Sequence, residues 1–275
     1  MSSNGNHRGF LVPIGGAEDK TGERTILRRF AEICDGRIAI LPTASESSKT
    51  GPRYERLFGD LGSKDVRALP IKERSDCDNS TFLEYLEGAH GVFLTGGNQL
   101  RLSTTLGGTP VADLLRRRHH EEGLHVAGTS AGAAFLSEHM IAYGDEGPTP
   151  RSDMVTLAVG VGLIQRVIID QHFRQRDRLG RLLSAIAYNP RLVGIGVDED
   201  TAAFIDPDRV FRVMGSGAVT VVDGSEVQHL SMDSVQEDSP VSIIGLRVHV
   251  LVDGGSFDLE SRTASPQSAV GGRRG

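Results

Sequence analysis

Apolar positions follow two rhythms along this chain. From residue 10 to about residue 190, short unbroken apolar runs alternate with stretches where apolar residues recur every three or four positions. The unbroken runs are "FLVPIGG" (10–16), "RIAILP" (37–42), "VRALPI" (66–71), "GVFLTGG" (91–97), "HVAGTS" (125–130) and "GLIQRVIID" (162–170). Runs of this length read as buried strands. Helical spacing appears at Ile26, Leu27, Phe30 and Ile33, with Gly36 as a stop, and again over 80–89, 109–123, 131–140 and 174–188. The last of these carries a stripe through Leu179, Leu182, Leu183 and Ile186. Such alternation predicts βαβ units, and so an α/β fold with a mostly parallel sheet flanked by helices. After "VGIGVDED" (193–200) the helical spacing stops. "TAAFI", "RVFRVMG", "AVTVVDG", "VSIIG" and "RVHVLVDG" are short strands between turn residues, an antiparallel C-terminal appendix.

Composition narrows the class. The 275 residues, 38% of them hydrophobic, suffice for one large domain with a full core. We expect that domain over 9–258, with disordered tails at 1–8 and 259–275. A net charge of -6 argues against a nucleic-acid backbone binder. No apolar run approaches the ~18 residues of a membrane span. Cys34 and Cys77 are isolated and read as reduced thiols, which points to the cytoplasm. The nine histidines include no His-x-x-x-His pair, and neither a metal nor an organic cofactor is expected.

Candidate chemistry centres on "GTSAGA" (128–133). Ser130 sits between two glycines where a strand hands over to a helix. It is either a helix cap or the nucleophile of a Gly-x-Ser-x-Gly elbow. Ligands of open parallel sheets bind beyond the carboxyl ends of strands. Gln99, Ser130, Asp170, Gln171, His172 and Glu199 all follow strand ends. A serine, a histidine and a carboxylate brought together there form a nucleophile, a base and an orienting acid. Within the acidic run, Asp198 and Asp200 stand as alternatives to Glu199. An adjacent carboxylate raises an imidazole above its ordinary pKa of ~6.5. Backbone amides of "LTGG", at Gly97, and of Ala131 form a candidate oxyanion hole. Arg174, Arg178 and Arg181 recur at helical spacing, with Arg176 off that face. They are either a solvated face or bidentate clamps for carboxylates.

"GTSAGA", "DQHFRQRDRLGRLL" and "GIGVDEDTAAF" together resemble the cyanophycinases. So do "GGAEDKTGERTILRRF", "ILPTASE", "FLTGGNQLRL" and "LGGTP", in the same order from about residue 11 to residue 205. Cyanophycinases are peptidase E-like serine peptidases, with a flavodoxin-like fold similar to class I glutamine amidotransferases. The resemblance implies Ser130 as nucleophile, His172 as base and Glu199 as orienting acid. It implies Gln99, Asp170, Gln171, Arg176, Arg178 and Arg181 as substrate-site residues. The implied substrate is cyanophycin, a poly-aspartate with arginine on each side-chain carboxyl, or a β-aspartyl peptide. The implied product is the β-Asp-Arg dipeptide, and the implied assembly a homodimer. Ala134 and Gln165 depart from the family pattern, which often has serine and proline there. A related α-aspartyl or isoaspartyl dipeptidase and a non-catalytic binder on the same fold are the rival readings.

Overall fold

The computed structural model describes residues 7–267. Residues 1–6 and 268–275, which belong to the two expected tails, lie outside the described residues.

Five strands form the parallel heart: β1 (Leu11–Ile14), β2 (Ile38–Leu41), β3 (Val66–Ala68), β4 (Gly91–Leu94) and β5 (His125–Thr129), in the order β1-β5-β4-β2-β3. The four residues of β1, β2 and β4 are all buried, as unbroken apolar runs require when both faces of a sheet are covered. Successive side chains serve opposite layers. Val12, Ile14, Ile40 and Phe93 pack with α1 (Thr25–Cys34) and α2 (Thr50–Asp60) through Phe30 and Phe58. Leu11, Leu41, Leu94 and Val126 face the other way. There they meet α3 (Ser80–Glu87), α4 (Gln99–Leu106) and α5 (Pro110–Glu121) through Leu86, Leu102 and Leu115.

Beyond the elbow the chain departs from a simple βα alternation. Helix α6 (Ala131–Phe135) is short, and His139–Gly144 is strand β6, hairpinned with β7 (Val155–Val159). The expected helix over 131–140 therefore ends at Phe135. Strand β8 (Val167–Gln171) and strand β9 (Val193–Val197) are parallel to each other but stand in a second, four-stranded sheet. Between them α7 (Leu179–Tyr188) covers one face of that sheet through Leu182 and Ile186. Ile169, Ile195 and Val197 on its other face join the core of the large sheet. The expected mostly parallel sheet is present, and β8 and β9 stand outside it. The separation arises at Asp198–Asp200, where the chain turns and β10 (Thr201–Ile205) enters the large sheet antiparallel to β1.

Strand β11 (Val210–Gly215) pairs with β10, and β12 (Ala218–Asp223) returns to the small sheet beside β9. The short strands β13 (His229–Leu230) and β14 (Ile243–Ile244) form their own pair. Strand β15 (Arg247–Val252) edges the small sheet; β16 (Ser256–Asp258) and β17 (Thr263–Ser265) extend the large one. The C-terminal strands are thus antiparallel, as read from the sequence, but spread over three sheets. Residues 263–265, expected within a disordered tail, pair with β16.

Candidate active site

The site lies at the seam of the two sheets. Strand β5 ends at Thr129, and the chain must reverse immediately into α6. Ser130 makes the reversal with φ 54° and ψ -116°, a conformation a non-glycine residue holds only under constraint. The constraint is close packing. A methyl group on Gly128 would lie 2.3 Å from the Gly132 carbonyl oxygen, and one on Gly132 would lie 2.4 Å from that of Leu94. The Ser130 N–H donates to the Ile14 carbonyl at 2.9 Å, which ties the elbow to β1. Its side chain makes no capping bond. Instead Oγ lies 2.8 Å from His172 Nε2.

His172 follows β8 with φ 48°, and its N–H donates to the Gly15 carbonyl at 2.8 Å. Its Nδ1 lies 2.6 Å from Glu199 Oε1. Only Glu199 of the three neighbouring acids meets the imidazole. Asp198 accepts from the backbone N–H groups of Arg174 and Ala218, at 3.0 and 3.1 Å. Asp200 accepts from Asp19 N–H at 2.9 Å and from the Ser216 hydroxyl at 2.8 Å. Burial pushes the His172 pKa below the ordinary imidazole value, and the charges of Arg176 and Arg178 add to that. The Glu199 hydrogen bond opposes the shift without reversing it. This corrects the expectation from the neighbouring carboxylate alone, because desolvation of the ring outweighs it.

The turn after β4 lies alongside. A methyl on Gly96 would lie 3.2 Å from Ser130 Cβ. Gly97 has φ 147°, and a methyl there would lie 2.0 Å from the Ala44 carbonyl oxygen, so only glycine fits. Ala131 opens α6, and its N–H has no acceptor within the helix.

The arginine segment differs from its sequence reading. Residues Arg174–Arg176 form a separate 3-10 turn, Asp177 takes a left-handed conformation, and α7 starts only at Leu179. No single helical face therefore carries Arg174, Arg178 and Arg181. Arg174 is exposed and reaches Asp198 at 3.4 Å. Arg178 is buried, and its Nη1 donates to the Gln171 carbonyl at 2.6 Å and to Gln171 Oε1 at 2.8 Å. Burial pulls its pKa down to about 10, leaving it charged at neutral pH. Arg181 is 4% exposed and clasps Asp170, itself 1% exposed, through Nε and Nη2. Asp170 is thus committed to arginines of its own chain, which does not fit a pairing with a substrate guanidinium. Gln99 donates to the carbonyls of Ile141 and Ala142 at 3.2 and 2.9 Å. Arg176 is exposed, and its side chain has no partner among the described residues.

One buried acid escaped the sequence reading. Glu18, 3% exposed, accepts from the Thr129 hydroxyl at 2.6 Å and the Tyr54 hydroxyl at 2.5 Å, and pairs with Lys20 at 2.8 Å. It braces the residue before Ser130. Its only sequence signal was its place in "GGAEDK". Among the described residues, no group of three or more His, Cys, Asp or Glu is placed to hold a metal. No helix among them is long and apolar enough to cross a membrane.

A strained serine at a strand–helix elbow, hydrogen-bonded to a histidine that is hydrogen-bonded to a glutamate, is the constellation of a serine-type peptidase. The model of peptidase family S51 matches residues 10–213, and the chain belongs to that family. A cyanophycinase of Trichormus variabilis is 46% identical over 260 residues, 93% of this chain and 87% of that protein. A cyanophycinase of Geminocystis herdmanii is 39% identical over 267 residues, 96% of this chain and 97% of that one. Among solved structures, a peptidase from an acI-B1 Actinobacterium superposes with TM-score 0.66 at 24% identity, over 92% of this chain and 98% of its own. A putative peptidase E protein from Listeria monocytogenes gives TM-score 0.52 at 16% identity, over 76% of this chain and 99% of its own. Both share the fold.

Proposed function

We propose that this chain hydrolyses cyanophycin to β-Asp-Arg dipeptides through an acyl-enzyme on Ser130. The observation that carries the reading is the unbroken chain of hydrogen bonds from Ser130 Oγ through the His172 ring to Glu199. With Nδ1–H donated to Glu199, Nε2 is left to accept the serine proton. Ser130 Oγ attacks the backbone amide carbonyl of the polymer as His172 takes that proton. The carbonyl oxygen becomes an oxyanion, which the N–H groups of Ala131 and Gly97 stabilise. His172 then gives the proton to the leaving amine, and the carbon–nitrogen bond breaks. Water, deprotonated by His172, hydrolyses the ester and frees Ser130. Glu199 stabilises the imidazolium at each transfer.

Arg176 has a free guanidinium beside this centre and takes a substrate carboxylate. Arg178, Gln171, Arg181 and Asp170 support the site from behind as a buried network, and Gln99 anchors the β6 backbone. The names of the relatives and the family membership support the substrate. The reading includes a cytoplasmic location, consistent with the two free, buried cysteines. It also includes a homodimer, which the family resemblance supports and sedimentation velocity tests.

The direct test is incubation with purified cyanophycin and mass analysis of the products. The β-Asp-Arg dipeptide is the expected product. Intact polymer, with cleavage of short α-aspartyl or isoaspartyl dipeptides, would replace this reading with the rival dipeptidase.

A further inference from the structure

A cavity of about 420 Å³ opens past the carboxyl ends of β2 and β3, on the same edge of the large sheet as Ser130. The loop after β2 forms one wall, and Arg101 of α4 reaches in from the side facing the elbow. The cavity and the catalytic centre share a boundary, since the Ala44 carbonyl of that loop packs on Gly97 and accepts from Asn98 N–H at 3.0 Å. None of the side-chain roles assigned above involves its lining.

Its free groups form a matched set. Arg101 is half-buried, and its guanidinium has no partner among the described residues. The side chain of Glu46 is likewise unpartnered among them, while the charge of Lys72 acts on Asp76. Glu55, by contrast, is held through Oε1 by the Ala68 N–H at 2.6 Å. Thr43 lines the same cavity at 2% exposure, and its hydroxyl has no hydrogen-bond partner. A buried hydroxyl without a partner is costly, and it is satisfied when a ligand supplies one. A free guanidinium and a free carboxylate in one hollow suit a zwitterion that carries a carboxylate and a guanidinium on the same arm.

We propose that this cavity is a remote subsite that holds one arginyl side arm of the polymer, with Arg101 on its carboxylate and Glu46 on its guanidinium. The proposal rests on cyanophycin being the substrate. Distance fits a unit that is not the one being cleaved. Adjacent strands lie ~4.8 Å apart, so the two steps from β5 to β2 put the cavity roughly 10 Å from the elbow. An extended chain covers that in about three residues. A two-unit substrate occupies only the positions flanking the scissile bond. A long polymer reaches both places, and the enzyme gains affinity for it without change at the catalytic centre.

The test compares kcat/KM on long polymer with kcat/KM on the two-unit substrate, for the unsubstituted protein and for Arg101→Glu, Arg101→Gln and Arg101→Lys. Loss of a charge-assisted contact should lower the long-to-short ratio about ten- to a hundredfold in Arg101→Glu and Arg101→Gln. Arg101→Lys, which keeps a cation, should restore most of it. An unchanged ratio in Arg101→Glu and Arg101→Gln overturns the subsite while leaving the catalytic reading intact. An unsubstituted protein that cleaves neither substrate overturns the cyanophycin reading, and the subsite with it.

Discussion

The His172 ring rests directly on the α-carbon of Gly16. A methyl group there would lie 2.3 Å from Cε1 and 2.6 Å from Nε2, and Gly16 itself holds φ 99°. The same short turn accepts the N–H of His172 at Gly15 and that of Asp200 at Gly16. One backbone turn after β1 thereby ties down the base and the residue that follows its orienting acid. Gly16→Ala should push the imidazole off Ser130. A displacement near 1 Å lowers rates about a hundredfold, so kcat should fall far more than KM rises. Steady-state kinetics on cyanophycin checks this, and an unchanged kcat would show that the contact is slack.

The pH profile of kcat/KM follows from the His172 environment. The base must be neutral to accept the serine proton, so activity falls as pH drops through its pKa. Burial sets that pKa below the ordinary 6.5. The acidic limb should therefore fall below pH ~6.5. Glu199→Gln removes an interaction that raises the pKa. Its residual activity should show a limb at still lower pH. A limb above pH ~7 in the unsubstituted protein would contradict the account of the ring as desolvated.

The arginines divide into structural and substrate-facing groups. Asp170→Ala would leave Arg181 and Arg178 as buried cations without their carboxylate. Breaking a buried pair this way costs about 3–5 kcal/mol, which urea denaturation would register. Stability equal to that of the unsubstituted protein would mean the pair is solvated.

Arg176→Ala should behave oppositely. The side chain is exposed and unpartnered, so stability should change by less than about 0.5 kcal/mol. Its kcat/KM on polymer should drop about ten- to a hundredfold. A full-rate variant would remove Arg176 from the substrate site.

The strands of the parallel heart were legible because both faces of that sheet are covered, so β1, β2 and β4 are apolar without interruption. The elbow was legible because Gly128 and Gly132 bracket Ser130 where packing leaves no room for side chains. Sheet membership was not. A buried run such as that of β8 reads the same whether it joins β5 or stands with β9 in a second sheet. The break at Asp177 also escaped, because an aspartate in a left-handed conformation looks like any polar residue of a helix. That break, with the pairing of Arg181 and Asp170 eleven positions apart, turned inward two arginines read either as part of a solvated face or as carboxylate clamps. Helix α4 was not expected, although its start signal was present: Asn98 Oδ1 accepts from the N–H groups of Leu100 and Arg101. Helix α2 contains Gly51, Pro52 and Gly59, which masked its apolar face.

The central claim is that Ser130 is the nucleophile, and turnover of purified cyanophycin by Ser130→Ala tests it most directly. The substitution removes one oxygen and leaves the packing of the elbow in place. Loss of at least about a thousandfold in kcat, at an unchanged melting temperature, is the predicted result. Activity within tenfold of the unsubstituted protein would contradict it.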